Sequence, residues 1–159
     1  MSATADAMPA LRPIGHLETP WRDPADCPRN GRQPDPAPAC RAVVAPEFRD
    51  GLLGLEGFSH LILLYWMHRA GPAALRFTPP FDGAPRGIFA TRAPFRPNPV
   101  ALSVVAFDGM EAPGVLRVRH VDCVDGTPLL DIKPYLPTTD AEPGASMGWL
   151  ASHATARGE

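Results

Sequence analysis

Three stretches of the chain carry residue types that scaffolding alone does not require. The first runs Gly87-Ile88-Phe89-Ala90-Thr91-Arg92-Ala93-Pro94-Phe95-Arg96-Pro97-Asn98-Pro99-Val100. Its three prolines push Ala93, Arg96 and Asn98 away from α geometry. The result is a stiff, extended segment that holds Arg92, Arg96 and Asn98 with little entropy left to lose on binding. Arg92 on such a segment suits an anionic group, either a carboxylate or a phosphate. The second stretch is Asp122-Cys123-Val124-Asp125-Gly126-Thr127-Pro128-Leu129-Leu130-Asp131-Ile132-Lys133-Pro134-Tyr135. Asp125-Gly126 predicts a tight turn whose amides and carboxylate are suited to ribose hydroxyls or an adenine edge. Asp131 and Lys133 share one strand face, opposite Ile132. That pair reads equally as a surface ion pair, worth ~0–1 kcal/mol, or as a catalytic couple. The third stretch, Cys27-Pro28-Arg29-Asn30, reads first as plain loop.

Other chemistries lack their residues. Gly51, Gly54 and Gly57 stand three apart, which is not the G-x-G-x-x-G of a dinucleotide site, and no phosphate-binding P-loop occurs. Gly57-Phe58-Ser59-His60-Leu61 lacks the second glycine of a nucleophile elbow. Ser59 and His60 therefore read as structural. His60 and His68 are eight apart with no H-E-x-x-H, so no metal site is expected.

The elements that must position these stretches read as strands and loops. Strands are expected at 14–19, 40–45, 58–67, 87–91, 100–108, 115–122 and 129–133. The run 58–67 looks apolar on both faces, the pattern of a central strand. In 115–122 the alternation is not clean. Short helices are expected at 46–53 and 147–155. From Pro20 to Ala39 six prolines rule out helix and central strand, and Gly71–Pro85 is a second Pro/Gly loop. Long loops inside small domains are often functional. Many short strands with little helix favour an all-β fold, mainly an antiparallel β-barrel, with a few short helices and long Pro-rich loops. The expected organisation is a disordered arm over 1–12, a barrel domain over 13–138 and a tail over 139–159.

A chain of 159 residues with 45% hydrophobic and 20% charged residues suits one soluble domain. The longest apolar run, Leu61–Met67, falls short of the ~18 residues that span a bilayer, and no signal peptide opens the chain. A cytoplasmic protein without membrane association is expected. Three cysteines argue against a disulfide framework. The net charge of −2 excludes a globally basic nucleic-acid binder, so a nucleic-acid partner needs a local basic patch. Fourteen of the fifteen basic residues are arginine.

Taken together, Ile14-Gly15 with Thr19-Pro20, Pro28-Arg29, Gly54-Leu55-Glu56-Gly57-Phe58-Ser59-His60-Leu61, and the stretches 87–98 and 124–135 resemble the TsaA-like family, methyltransferases of adenine-37 in certain tRNAs. The resemblance covers roughly 14–137. It implies a β-barrel that binds S-adenosylmethionine, and a homodimer with the cofactor near the subunit interface. By position the family's cofactor contacts fall on Pro28, Arg29, Asn30, His68, Arg69, Arg92, Leu102, Val124, Asp125, Gly126 and Thr127. The family usually has glutamine or phenylalanine at Asn30 and glycine at Ala101. For the methyl acceptor, N6 of threonylcarbamoyladenosine-37, a general base is expected, with Asp131 and Tyr135 the candidates and His60 third. Some members carry an additional C-terminal domain that helps engage tRNA, whereas this chain ends at Glu159. Binding of tRNA is accordingly expected to be weak. The alternatives are methylation of a small molecule or another RNA, and a non-catalytic S-adenosylmethionine sensor.

Overall fold

Leu61, Leu63 and Tyr65 alternate with more exposed neighbours, and this alternation sets the architecture. In the computed structural model, which describes residues 7–153, the strands are β1 (Gly15–Glu18), β2 (Cys40–Val44), β3 (His60–Trp66), β4 (Arg76–Phe77), β5 (Arg86–Gly87), β6 (Val100–Ala112), β7 (Val115–Arg119) and β8 (Thr127–Pro134). Six of them close an antiparallel barrel in the order β1-β2-β7-β6-β3-β8, with β8 pairing back onto β1. Leu17, Val44, Leu61, Leu63, Val105 and Leu116 fill its interior. Short 3-10 helices lie at Pro24–Asp26, Pro46–Leu52, Ile88–Ala90 and Gly148–His153, and one α turn at Pro137–Asp140. This is the all-β barrel expected from the sequence.

Several local expectations need correction. The run 58–67 is not apolar on two buried faces: β3 buries Leu61, Leu63 and Tyr65 and leaves its other residues half exposed on the barrel wall. The stretch 87–91 is strand only at Gly87. Ile88–Ala90 turns as a 3-10 helix, which buries Ile88 at 1% exposure apart from the barrel's core cluster, and the Thr91 hydroxyl caps it by donating to the Ile88 carbonyl at 2.9 Å. The partner of β5 is β4, which lies inside the expected Gly71–Pro85 loop. The strand expected over 115–122 stops at Arg119. His120 takes φ 76°, a left-handed conformation uncommon outside glycine, and Val121 then turns inward. That reversal is why the alternation could not be read cleanly.

The expected helix over 147–155 is a 3-10 segment at Gly148–His153, and residues 154 and 155 lie outside the described range. Trp149 stacks on Phe81, and its indole N–H donates to the Ala90 carbonyl at 2.8 Å. Of the expected N-terminal arm, residues 1–6 also lie outside the described range. Arg12 rests over the Phe48 ring, and Leu11 and Pro13 line an outer groove with Trp66, Pro128 and Leu130.

Candidate functional site at one barrel rim

Strand pairing decides which loops meet. Leu17 pairs Thr127, Glu18 pairs Arg41, Cys40 pairs Val118, and Trp66 pairs Val100. One rim therefore collects the C-terminal ends of β1, β3 and β7 and the N-terminal ends of β2, β6 and β8. The connections 19–39, 67–99 and 120–126 all leave from it. Pro28, Arg29 and Asn30 lie on the first connection, His68, Arg69 and Arg92 on the second, and Val124, Asp125 and Gly126 on the third. Thr127 opens β8 at the same rim, and Leu102 lies near it on β6.

These loops are tied to one another. Thr19 donates from its amide to Asp125 Oδ1 at 3.0 Å and from its hydroxyl to the Cys123 carbonyl at 2.7 Å. The amides of Asp125 and Gly126 donate to the carbonyls of Trp21 and Leu17. Gly126, at φ 83°, makes the turn that the Asp-Gly pair predicted. The amides expected to meet a ligand are thus occupied by protein. Val124 and Thr127 are buried, and Thr127 closes the turn through its hydroxyl onto the Val124 carbonyl at 2.6 Å. The second oxygen of Asp125 is left as an acceptor among the described residues.

In the first loop, the Asn30 side chain accepts from the Arg32 amide at 2.9 Å, and the Arg29 amide donates to Gln33 Oε1 at 2.8 Å. The loop is pinned to the barrel by His120, whose Nδ1–H donates to the Gly31 carbonyl at 3.1 Å, while Arg69 donates to the Arg22 carbonyl at 2.7 Å.

The rigid arginine segment divides into two roles. Arg96 Nη1 lies within hydrogen-bond distance of the carbonyls of Thr91, Ile88 and Ala93, at 2.7, 3.0 and 3.2 Å. Arg96 is therefore the staple of its own loop. Arg92 is exposed and makes no hydrogen bond or ion pair among the described residues, and the same holds for the Arg29 guanidinium. Both remain available to an anion.

Below this rim lies a polar network that sequence reasoning missed. The Tyr65 hydroxyl, on the inner face of β3, stands 2.7 Å from Asp122 Oδ1 and 2.7 Å from the Ser103 hydroxyl. Burial raises the Asp122 carboxyl above its usual range, against the hydrogen bond from Tyr65 and the positive field of Arg92. Burial also lifts the Tyr65 phenol far above its usual value. Its phenolate is not accessible at neutral pH. The signal in the sequence was slight: a serine among the apolar residues of β6, and an aspartate placed after the reversal at His120. Burial pushes the Cys123 thiol up to about 12 and Cys40 to about 11, and it raises Cys27 as well. None of the three is tuned as a thiolate nucleophile.

The two candidate bases lie elsewhere. Leu64 pairs Asp131, while Tyr65 pairs Leu129, so Leu130 is an extra residue in β8. This bulge turns Asp131 to the outer wall, although alternation from the inward-facing Leu129 would have directed it inward. Asp131 bonds Lys133 Nζ at 2.9 Å with its side chain 45% exposed. It lies about 13 Å along β8 from Thr127, at a strand's ordinary rise. Tyr135 is further away, edge-on to His60, which bonds the Ser59 hydroxyl at 2.8 Å. Leu102, Leu64 and Asp131 form one outward row across β6, β3 and β8. A single chain thus gathers the cofactor candidates other than Leu102 at its rim and holds Leu102, Asp131 and Tyr135 on its wall. Among the described residues no group of three or more His, Cys, Asp or Glu is placed to hold a metal, and no helix is long and apolar enough to cross a membrane.

The chain is similar to known proteins in sequence and in fold. A probable S-adenosyl-L-methionine-binding protein of Pyrococcus abyssi is 44% identical over 90% of this chain and 77% of its own length. The tRNA (adenine(37)-N6)-methyltransferase of Escherichia coli is 37% identical over 87% of this chain and 63% of its own. The crystal structure of TrmO from Pseudomonas aeruginosa superposes with a TM-score of 0.73 at 35% identity, covering 89% of this chain and 62% of that one. The chain therefore spans less than two thirds of the Escherichia coli enzyme and of the Pseudomonas structure. Residues 16–141 match the family model described as the tRNA-methyltransferase O N-terminal domain, and the chain belongs to that family.

Proposed function

We propose that the protein binds S-adenosylmethionine at the loop-bearing rim and transfers its methyl group to N6 of threonylcarbamoyladenosine-37 in tRNA. The observation that carries this reading is the convergence at one rim of two unpaired guanidiniums, Arg92 and Arg29, with the Asp125 turn and the half-buried Asp122. The charges fit the group, which has an α-carboxylate at one end and cationic centres beside it. Arg92 takes the carboxylate. Pro28, Asn30, His68, Arg69, Leu102 and the turn 124–127 enclose the remainder.

S-adenosylmethionine supplies an electrophilic methyl on sulfur, so that the N–C bond forms as the C–S bond breaks and the nitrogen gives up its proton. The chain's own contribution is alignment and exclusion of water, and holding two reactants in line supplies ~7–11 kcal/mol at the limit. The accepting nitrogen is a poor nucleophile until its proton leaves, which calls for a base within hydrogen-bond reach. Asp131 takes that role from a second subunit, with Tyr135, four residues further along the same wall, the other candidate. The placement of Leu102 and Asp131 on an outer wall that exposes Val100 at 38% and Leu102 at 51% supports a homodimer with shared sites.

The protein acts in the cytoplasm, and tRNA binding, opposed by the net charge of −2, is weak and falls steeply with salt, because each neutralised phosphate releases counterions. The test is transfer of labelled methyl into total tRNA from a strain lacking the gene, followed by mass spectrometry of the nucleosides. Label in methylated threonylcarbamoyladenosine is the expected result. Turnover with a small acceptor and no tRNA product would overturn the assignment of the acceptor. Donor binding without turnover on any acceptor would favour a sensor.

A further inference from the structure

Of the Ser103–Tyr65–Asp122 network only the Asp122 charge enters the reading so far, and the geometry that holds it is specific. A carboxylate only accepts, so the single Tyr65 hydrogen points to Asp122 Oδ1 at 2.7 Å. Tyr65 must then accept from the Ser103 hydroxyl, also at 2.7 Å. The hydrogen bonds run in one direction, from Ser103 on β6 through Tyr65 on β3 to Asp122, and they end on an anion. An apolar trio would fill the same space without desolvating a charge, and a buried ionic group is weak evidence for stability. Asp122 lies two residues before Val124 in the connection 120–126, at the rim where the other loops meet. The positive field of Arg92 reaches it, although no hydrogen bond joins the two. Cys27, which neighbours Pro28, feels Asp122 from the opposite loop. A largely buried anion and an exposed cation therefore stand at one rim.

We infer that Asp122 faces the sulfonium of the methyl donor while Arg92 takes its carboxylate, and that Tyr65 and Ser103 are positioning residues for the Asp122 carboxylate. The inference rests on the S-adenosylmethionine reading above and adds a group to it. Its consequence is discrimination between donor and product. Methyl transfer converts a sulfonium cation into a neutral thioether, so the attraction to Asp122 is present before transfer and absent after it.

The experiment is calorimetric titration of the wild-type protein, Asp122→Asn and Tyr65→Phe with S-adenosylmethionine and, separately, with S-adenosylhomocysteine. Asp122→Asn keeps an acceptor for Tyr65 and removes only the charge. The expected result is a loss of at least about tenfold in affinity for the sulfonium ligand, with less than about threefold change for the thioether. Tyr65→Phe, which keeps the carboxylate but frees it, lowers the same preference by a smaller factor. Equal weakening of both ligands would overturn the inference, because a contact to the shared ammonium or a purely structural role predicts that outcome. Unchanged affinities would overturn it as well. If Asp122→Asn does not fold, the ratio measured for Tyr65→Phe decides: a lowered preference supports the assignment and an unaltered one rejects it. A wild-type protein that binds neither ligand would defeat the underlying cofactor reading, and this inference with it.

Discussion

Gly31 offers the sharpest separation between site and scaffold. It lies in the connection 19–39, one residue after Asn30, and its backbone presses against His120. A Cβ added there would overlap the carbonyl oxygen of His120 and stand 2.9 Å from its Cα, where real Cβ atoms are not found. All the atoms it meets are backbone, so no side chain can swing aside. The loop must withdraw by an appreciable fraction of an ångström or more. The 3.1 Å bond from His120 Nδ1 to the Gly31 carbonyl cannot survive that movement. Losing it costs ~0.5–1.5 kcal/mol, which lowers Tm by only about 2–5 °C in a domain of this size. Pro28, Arg29 and Asn30 move with the loop, and a displacement near 1 Å costs up to ~100-fold in a positioned site. Gly31→Ala should therefore weaken S-adenosylmethionine binding by about tenfold or more while the barrel stays folded. Gly15→Ala is the counterpart. Its Cβ would overlap the Val43 carbonyl inside the β1–β2 ladder, so the loss should appear in stability. Gly51→Ala meets nothing within 4 Å and should be silent. Calorimetry and thermal melts on the three variants make the comparison. Wild-type affinity in Gly31→Ala would refute the claim that His120 holds the donor loop in place.

Two further predictions concern the charged groups Asp131 and Asp82. Asp131→Asn should leave donor affinity unchanged and reduce kcat, which single-turnover and steady-state assays with tRNA would separate; an unchanged kcat would make Asp131 and Lys133 the surface ion pair that their exposure also allows. Where the 67–99 connection meets the tail, burial raises the Asp82 carboxyl, but hydrogen bonds from Arg86 and His153 outweigh it and hold the group below its usual range. A depressed carboxyl stabilises the fold above its unfolded value, here 3.8, and that contribution disappears as pH falls through the lower folded value. The Tm difference between wild type and Asp82→Asn should thus persist at about pH 5 and close below about pH 4, and a difference undiminished at about pH 2 would contradict the assignment.

The barrel was legible in the sequence because strand alternation and turn chemistry are local signals. Asp125-Gly126 made its turn, and the prolines of 20–39 excluded strand and α-helix, leaving one short 3-10 helix at Pro24–Asp26. The errors came where tertiary contacts override local pattern. Ile88 reads as the start of a strand, but a 3-10 turn buries it beneath its own loops and Thr91 caps that turn. Asp131 shares parity with Leu129 until the bulge at Leu130 reverses it, and a bulge leaves little trace in residue types. Arg92 and Arg96 look alike on paper. Only folding shows that three carbonyls surround Arg96 while Arg92 remains free. Asp122 and Tyr65 are separated by 57 residues, so their bond was outside any local reading.

The two halves of the chemistry are kept apart by the barrel itself. An antiparallel closed sheet sends successive connections to opposite rims, and here the long ones, 19–39 and 67–99, emerge on the same side. The other rim has the tight β6–β7 turn and the connection 45–59. A ligand held by those long loops is fixed relative to β3, β6 and β8, whose ladders set the row from Leu102 through Leu64 to Asp131. That row faces outward, so a base on it serves a site on another molecule better than its own. Complementation follows from this geometry. Mixing Arg92→Ala with Asp131→Asn should restore activity to a fraction of mixed dimers, because one of their two sites keeps both an intact Arg92 and an intact Asp131. Equal amounts of freely exchanging subunits give about half mixed dimers, each with one complete site, so about a quarter of wild-type activity is expected. Mixtures no more active than either variant alone would place both residues in the same subunit's site.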